Sequence, residues 1–502
     1  MNGIDYDRLL FRKQFLLTSK KIDGLHDWKR YSVCSGKKML HVHPDMEITI
    51  EEMGDRKVIL LGCLLDWRSP EQGNGEIVRR ILAQSLNFAE FVESTADLGG
   101  RFAIIYEDAQ GSRVFHDAGG QREIYYHLGE HGVSCAAQLP ILARFMDVVE
   151  NPNEDIRKLY DSDSFLNFKK QWVGEDTIYR DTKNLKPNHY IDMESGNAKR
   201  YWPIKPLEKK RLEEVVDEGA AMLKGFLKAA SFRKELIIPV TAGWDSRLLL
   251  AASRDISDKV LYYIIKFPHM SDSHMDIDIP RRLLKNMGLE LSVIEASEHV
   301  DERFFEIFGN NTAYCKDENL PGIYNVFFKM FPDRINVTSQ MSEVVRNYKG
   351  NTARYNDRFY DTCIVSCSRN DYYENNYVKE TSSKWIENTL DFAKGMNIDP
   401  RALFYWEEWL SWEASQRSET DIAIEEYPPF SCRNLMALLL SVKPSYRNAY
   451  NCTLYKRLME KMWPEVLSEP INPSFKRNIK GALVAIEMLY PVKNMIKNMK
   501  GK

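Results

Sequence analysis

The chain has 502 residues, 44% hydrophobic and 28% charged, with a formal net charge of −3. That length exceeds what a single core serves, so two or three domains are predicted. The near-neutral balance excludes nucleic acid as the main partner, because no basic excess offsets phosphate, and no apolar run reaches the roughly 18 residues that span a bilayer.

The first segment, MNGIDYDRLLFRKQFLL, lacks the apolar core of a signal peptide. Eight scattered cysteines make no disulfide framework. Both points predict a cytoplasmic protein. The first ~205 residues read as β-rich, with RKVILLGCLLD (56–66), GRFAIIYED (100–108), SRVFHDAGG (112–120), REIYYHLG (122–129) and HGVSCAAQ (131–138) as short strands punctuated by Gly and Asp. GNGEIVRRILAQSL (73–86) has helical spacing between them, an antiparallel α+β pattern. Residues 175–203 read as a pair of extended pieces ending at Pro203. His41 and His43 read as strand residues rather than metal ligands.

The switch to LEEVVDEGAAMLKGFLKAA, an amphipathic helix, predicts a domain boundary near residue 205. A helix over 211–230, a strand over 235–240, a helix over 246–253 and a strand over 259–266 are predicted in turn. A helix over 276–287 and a strand at LELSVIE follow. This alternation predicts a parallel sheet with helices on its faces. Beyond residue 300 the chain is helical and aromatic-rich, with one further strand at RINVTS. Cys363 and Cys367 form a CxxxC pair without a second pair nearby to complete a zinc site, and His269 and His274 lack a third ligand.

The richest stretch joins the 235–240 strand to its helix: Thr241-Ala242-Gly243-Trp244-Asp245-Ser246. In open parallel sheets, ligands sit beyond the carboxyl ends of strands. Ala242 and Gly243 allow close backbone approach, and the helix start offers N–H groups to an anion. Asp245 beside phosphate calls for a divalent cation between them, and Ser246 can donate to a phosphate oxygen. The residues alone also allow a plain joint in which Asp245 or Ser246 caps the helix.

This motif resembles the SGGxDS signature of the PP-loop ATP pyrophosphatases, in their asparagine-synthetase branch, with Thr241 in place of the Ser and Ala242 in place of the first Gly. Asp276 stands where that family opens its next helix. LGGRFAIIYED, FHDAGGQREIYY and the YW pair at 201–202 resemble its N-terminal domain, and EEYPPFSCRNLMALLLSVKPSYR (425–447) resembles its RxPFLD segment. The match spans most of the chain in the right order. It implies an α/β protein: an Ntn-like α+β sandwich over 1–205, then a PP-loop α/β domain over 206–502 with a parallel sheet and a helical C-terminal region.

The resemblance implies ATP and Mg2+ as cofactors, and Thr241, Ala242, Gly243, Asp245 and Ser246 as the pyrophosphate loop. VTSQMSEVVRNY (337–348) stands where the family has SGxGxDE. Thr338 and Ser339 would join the nucleotide site, Gln340 or Ser339 replaces the Glu that acts as base in some members, and Ser342 replaces a magnesium-binding Asp. Glu343 keeps its acid, so Asp245 and Glu343 would hold the metal, with Arg346 and Tyr348 following in family order. Lys476, in a cluster with Arg477 and Lys480, would neutralise pyrophosphate. The family's glutaminase nucleophile is a Cys after the initiator Met; here position 2 is Asn2 and the first cysteine is Cys34. As in β-lactam synthetase and lasso-peptide cyclases, the N-terminal domain would then be a scaffold. The expected activity is AMP-forming amide ligation between a small-molecule or peptide carboxylate and an amine or ammonia. The alternative is a degenerate member that binds nucleotide or peptide without ligation. No nucleic-acid or membrane partner is expected, and a homodimer is allowed.

Overall fold

Along the Arg56–Leu65 strand, alternate residues face two different cores. Ile59 and Leu61 enter one; Val58, Leu60 and Leu64 enter the other. The paired Gly99–Asp108 strand does the same, with Ala103 and Ile105 opposed to Phe102, Ile104 and Tyr106. Period-two alternation with apolar residues on both faces dictates a sheet covered on both sides. The structure, a computed structural model, describes residues 5–169, 172–346, 370–448 and 451–473.

That sheet has six antiparallel strands, in spatial order Ala198–Arg200, His189–Asp192, Gly111–His116, Gly99–Asp108, Arg56–Leu65 and Ile48–Met53. A second six-stranded antiparallel sheet runs Thr182–Asn184, Tyr125–Gly129, Gly132–Ala136, Phe15–Thr18, Lys38–Val42 and Lys29–Val33. Phe15, Leu17, Leu40 and Val133 of the second sheet meet Ile59, Leu61 and Ile105 of the first in one core. Helices Asn74–Gln84 and Phe88–Thr95 cover the first sheet's outer face through Ile77, Ile81 and Phe91. Helices Leu139–Phe145 and Glu154–Tyr160 pack with Leu16, Tyr125 and Ala136 of the second. The result is a helix–sheet–sheet–helix sandwich.

The third sheet is parallel, in spatial order Ser292–Glu295, Val260–Lys266, Leu236–Pro239, Ile335–Val337 and Glu425–Tyr427. Helices cover both faces. Leu236 and Ile238 share a core with Leu212–Arg233 and Trp244–Ala252, while Ile237, Tyr263 and Ile294 share one with Glu302–Asn311. The expected α/β class, with antiparallel sheets first and a parallel sheet after, is therefore observed. No described helix is long and apolar enough to cross a membrane.

Local departures from the sequence reading have physical causes. The strand expected over 122–129 begins only at Tyr125, because the Gln121 and Arg122 N–H groups donate to Asp117 instead of to a neighbouring strand (both 2.9 Å). The helix expected to end at 230 runs to Arg233, and the extended region after residue 175 holds three short strands rather than two. Glu425–Tyr427 was not foreseen as a strand. Its two glutamates show no apolar alternation: Arg417 and the Asn336 amide meet Glu426, and cations from the sandwich meet Glu425.

Those cations join the sandwich to the parallel sheet. Arg101 holds both oxygens of Asp421 (2.6 and 2.8 Å), and Arg122 bridges Asp421 (2.8 Å) to Glu425 (2.9 Å). Lys13 reaches Glu425 at 3.0 Å. Burial alone would raise the Glu425 carboxyl, but Lys13, Arg122 and Arg101 outweigh it and hold it well below the usual carboxylate range. Beside them, buried Asp117 accepts N–H groups from Gly119, Gln121 and Arg122 and the hydroxyl of Ser431 (2.9–3.0 Å).

Removing one member of a buried ion cluster strands the others. Asp421→Ala, which leaves the Arg101 and Arg122 guanidinium groups under-compensated, should cost about 3–5 kcal/mol. Denaturant unfolding followed by fluorescence measures it, and a loss below about 1 kcal/mol, the scale of an exposed pair, would show that the seam carries little.

Candidate functional site

The parallel sheet reverses its order of growth beside Leu236–Pro239, so this strand and Ile335–Val337 are neighbours although about a hundred residues separate them. Such a switch point opens a crevice at the carboxyl ends of the strands. Both candidate loops, 241–246 and 338–343, leave the sheet there.

In the first loop, Gly243 is the N-cap of Trp244–Ala252, so the helix starts two residues earlier than expected and carries Asp245 in its first turn, where a negative charge suits the helix dipole. The Thr241 N–H donates to Ser246 Oγ (3.1 Å), the two hydroxyls lie 2.8 Å apart, and the Gly243 N–H donates to Thr241 Oγ1 (3.1 Å). Asp276, in the first turn of Met275–Asn286, accepts the Ala242 N–H at 3.0 Å. Ser246, expected to donate to phosphate, is thus a staple that holds the loop closed on itself. The N–H groups left for an anion are those of the first helical turn, Trp244 to Ser246, which have no intrahelical acceptor.

In the second loop, the Thr338 N–H donates to Tyr427 O (3.0 Å), and Ser339 O accepts the Ser342 N–H (3.1 Å). Met341 takes a left-handed φ of 74° and turns the chain into the short helix Ser342–Val345. The Met341 side chain lies against Gly119 of the DAGG turn, where a Cβ would come within 2.5 Å of its sulfur. Ser342 and Arg346, four residues apart and so on one side of the turn, both reach Asp245: Ser342 Oγ donates to Oδ1 (2.7 Å) and Arg346 Nη2 to Oδ2 (2.6 Å). Tyr455 donates to Ser342 O (2.9 Å). Gln340 donates through Nε2 to Glu413 O (3.2 Å).

Among the described residues, three buried oxygens on this loop have no hydrogen-bond partner: Thr338 Oγ1, Gln340 Oε1 and Glu343 Oε2. Burial, and then the charge of Asp245, push the Glu343 carboxyl well above the usual carboxylate range against the opposing pull of Arg346. Magnesium takes one or two carboxylates together with phosphates and water, and Asp245 and Glu343 are the carboxylates that would hold it here. The orphaned Glu343 oxygen fits that role, although both oxygens of Asp245 already accept protein donors. Among the described residues, no group of three His, Cys, Asp or Glu side chains is placed to hold a metal.

The C-terminal segment closes over the first loop. Buried Arg247 donates to the carbonyls of Val466 (2.9 Å), Glu469 (2.7 Å) and Pro470 (2.9 Å), and the Asn472 N–H donates to Ala242 O (2.8 Å). Lys476, Arg477, Lys480, Tyr348, Cys363 and Cys367 lie outside the described residues. Sequence reasoning missed Arg247, Tyr455 and Glu413, and it gave Arg346 no partner. The i, i+4 spacing of Ser342 and Arg346 was the available signal.

The remaining candidates have ordinary roles. Trp244 is buried in the main core, and Lys266 pairs with Asp272 (2.8 Å) and Glu295 (3.1 Å). His274 caps its helix by accepting the Asp276 N–H (3.3 Å), and His269 stacks on Phe267. His41 lies in a strand, and His43 accepts the Asp45 N–H (3.0 Å). Cys34 is buried, and burial pushes its thiol up to about 11. A cavity of about 910 Å³ between Tyr6, Trp28, Phe145 and Arg303 is lined by neither loop.

No protein-family model and no curated protein matches the chain. Solved structures give slight likenesses. Glutamine-dependent NAD+ synthetase from Acinetobacter baumannii, in complex with ADP, is 13% identical over 35% of this chain and 38% of its own, with a TM-score of 0.18. The chain thus spans less than half of that enzyme. Glutamine phosphoribosylpyrophosphate amidotransferase from B. subtilis, complexed with ADP and GMP, is 9% identical over 63% of this chain and 90% of its own, with a TM-score of 0.26. A structure of the allosteric regulatory enzyme of purine biosynthesis is 9% identical over 58% and 71%, with a TM-score of 0.24. Likenesses this slight do not carry an activity from one protein to another.

The raised Glu343 carboxyl sets a sign for pH. Its folded form keeps a proton that the unfolded chain has lost, so stability falls as pH rises from the ordinary carboxylate range toward the raised value. Glu343→Gln should remove that slope. Melting curves from pH 5 to about pH 9 should show the variant gaining on the native protein as pH rises, and parallel curves would refute the shift.

Proposed function

We propose that the chain is an ATP-dependent, amide-forming ligase of the asparagine-synthetase type. It would adenylate a substrate carboxylate, release pyrophosphate, and pass the acyl group to an amine or ammonia with release of AMP. Residues 1–205 would be the scaffold and 206–502 the adenylating unit. The observation that supports this reading is the meeting of the 241–246 and 338–343 loops at the switch point, joined through Asp245.

In this reading the first-turn N–H groups of Trp244 to Ser246 receive phosphate oxygens, while Thr241, Ala242 and Gly243 shape the loop by their internal hydrogen bonds. Asp245 and Glu343 would hold Mg2+, which when bound supplies neutralisation of the departing pyrophosphate. Thr338 and Ser339 flank the nucleotide. Gln340 presents an acceptor oxygen to the incoming amine, and the elevated Glu343 carboxyl suits proton transfer near neutrality. Lys476 would meet the leaving group. The buried Cys34, its thiol pushed up to about 11, favours free ammonia or a substrate amine over glutamine as nitrogen source. Biosynthesis of a modified peptide, a natural product or a surface sugar fits that source.

One observation favours a second reading, binding without ligation: the loop N–H groups of Thr241, Ala242 and Gly243 and both oxygens of Asp245 already have protein partners. ATP–pyrophosphate exchange with a panel of carboxylic acids separates the two. A ligase gives acid-dependent exchange that falls by on the order of 100-fold or more in Asp245→Ala. Nucleotide binding with no exchange across the panel supports the second reading.

A further inference from the structure

Met341 has a left-handed φ of 74°, a conformation that a residue with a Cβ adopts at a cost. Such a backbone persists only where its surroundings over-determine it. Here the side chain does so. Met341 is fully buried, and its sulfur lies 2.5 Å from where a Cβ at position 119 would stand. Gly119 does not use glycine's freedom of backbone, since its φ is not among the positive ones. What position 119 requires is space, and Met341 fills it.

How each side is held decides which would yield. Fully buried Asp117 accepts the N–H groups of Phe102 (3.2 Å), Gly119 (3.0 Å), Gln121 and Arg122 (both 2.9 Å), and the Ser431 hydroxyl (2.9 Å). Trp406 Nε1 donates to Ala118 O (2.6 Å), and Arg433 donates to the carbonyls of His116 (3.0 Å) and Asp117 (3.2 Å). The turn is thus clamped from both the sandwich and the helical region. The loop backbone is tied to other segments at Thr338, which donates to Tyr427 O, and at Ser342, whose carbonyl accepts Tyr455. Met341 lies between these ties, so the loop gives before the turn does.

We propose that Gly119 is a positioning residue for the candidate site: its missing side chain is the seat of Met341, and through that seat the sandwich sets where Ser342, Glu343 and Arg346 stand. Met341 precedes Ser342, whose hydroxyl donates to Asp245 Oδ1 (2.7 Å), so a displaced Met341 moves a contact between the two loops. The seat does not depend on what the site binds. Its consequence for turnover rests on the ligase reading above.

Hydrogen exchange followed by mass spectrometry of the full chain tests the seat. The Ser342, Val344 and Arg346 N–H groups donate to Ser339 O, Met341 O and Ser342 O. In Gly119→Ala they should exchange about tenfold or more faster, as overpacking a buried contact predicts, while the Arg56–Leu65 strand keeps its native exchange. Met341→Gly suits the left-handed φ and empties the seat. Adding Gly119→Ala to it should change the exchange by less than about twofold. Gln121 Nε2 also lies 2.9 Å from the position of that Cβ. An effect of Gly119→Ala that survives Met341→Gly therefore assigns the collision to the turn itself and overturns the proposal. So does a folded Gly119→Ala with native exchange at 342–346. Should Gly119→Ala not fold, Met341→Gly with and without it decides: equal exchange supports the seat, and faster exchange or loss of the fold in the double variant overturns it.

Where the native protein shows acid-dependent ATP–pyrophosphate exchange, Gly119→Ala should lower its maximal rate about tenfold or more. The half-saturating ATP concentration should move less than about threefold, because the 241–246 loop keeps its own hydrogen bonds. A native maximal rate in Gly119→Ala overturns the positioning role. A native protein without exchange removes the ligase reading, and the amides still decide the seat.

Discussion

The buried contact of Asp421 and Glu425 with Arg101, Arg122 and Lys13 is the constraint on which the functional side of the molecule depends. Glu425 opens the edge strand Glu425–Tyr427, which pairs with Ile335–Val337; Tyr427 in turn accepts the Thr338 N–H where the second loop begins. The position of that loop is therefore tied to cations of the sandwich and not only to its own sheet. A buried ion cluster adds little net stability relative to an apolar contact of equal size, but it is unforgiving of misplacement. Here it fixes how the sandwich lies against the sheet edge.

The Asp117 turn adds a second tether of a different kind. Asp117 takes up the N–H groups of the turn and the Ser431 hydroxyl, and this keeps Gly119 in place. Gly119 offers the space into which Met341 is turned by its left-handed backbone. A side chain at position 119 would collide with Met341 and push the loop that carries Ser342, Glu343 and Arg346. The sandwich, through its Asp117 turn, thus bears on the position of the 338–343 loop.

Much of this was legible in the sequence where a pattern repeats. Short apolar runs such as RKVILLGCLLD and GRFAIIYED, punctuated by Gly and Asp, exposed the antiparallel strands, and strand–helix alternation from 235 to 295 exposed the parallel sheet. The first loop was legible because small residues, one carboxylate and one hydroxyl fall together at a joint. Interactions between distant segments left no local pattern. Nothing local marks Glu425 as buried, because its charge partners Arg101 and Arg122 lie some three hundred residues away. Likewise the commitment of Ser246 to Thr241, and of Ala242 to Asp276, cannot be inferred from residue types, since the same hydroxyl and N–H would serve a phosphate equally well.

These commitments divide the site into a rigid half and a responsive half. The 241–246 loop spends its polar groups on itself, on Asp276 and on Asn472, so its shape is set before any ligand arrives. Among the described residues, three buried oxygens of the 338–343 loop lack partners, and Ser342 and the following Arg346 reach across to Asp245. Unsatisfied buried oxygens are costly to leave, so a ligand that completes them recovers that cost and draws its binding energy from this loop. Asp245 sits between the halves and is shared by both. A ligand that changes its charge balance must therefore be felt by Ser342 and Arg346 first, and through Met341 and Gly119 by the sandwich.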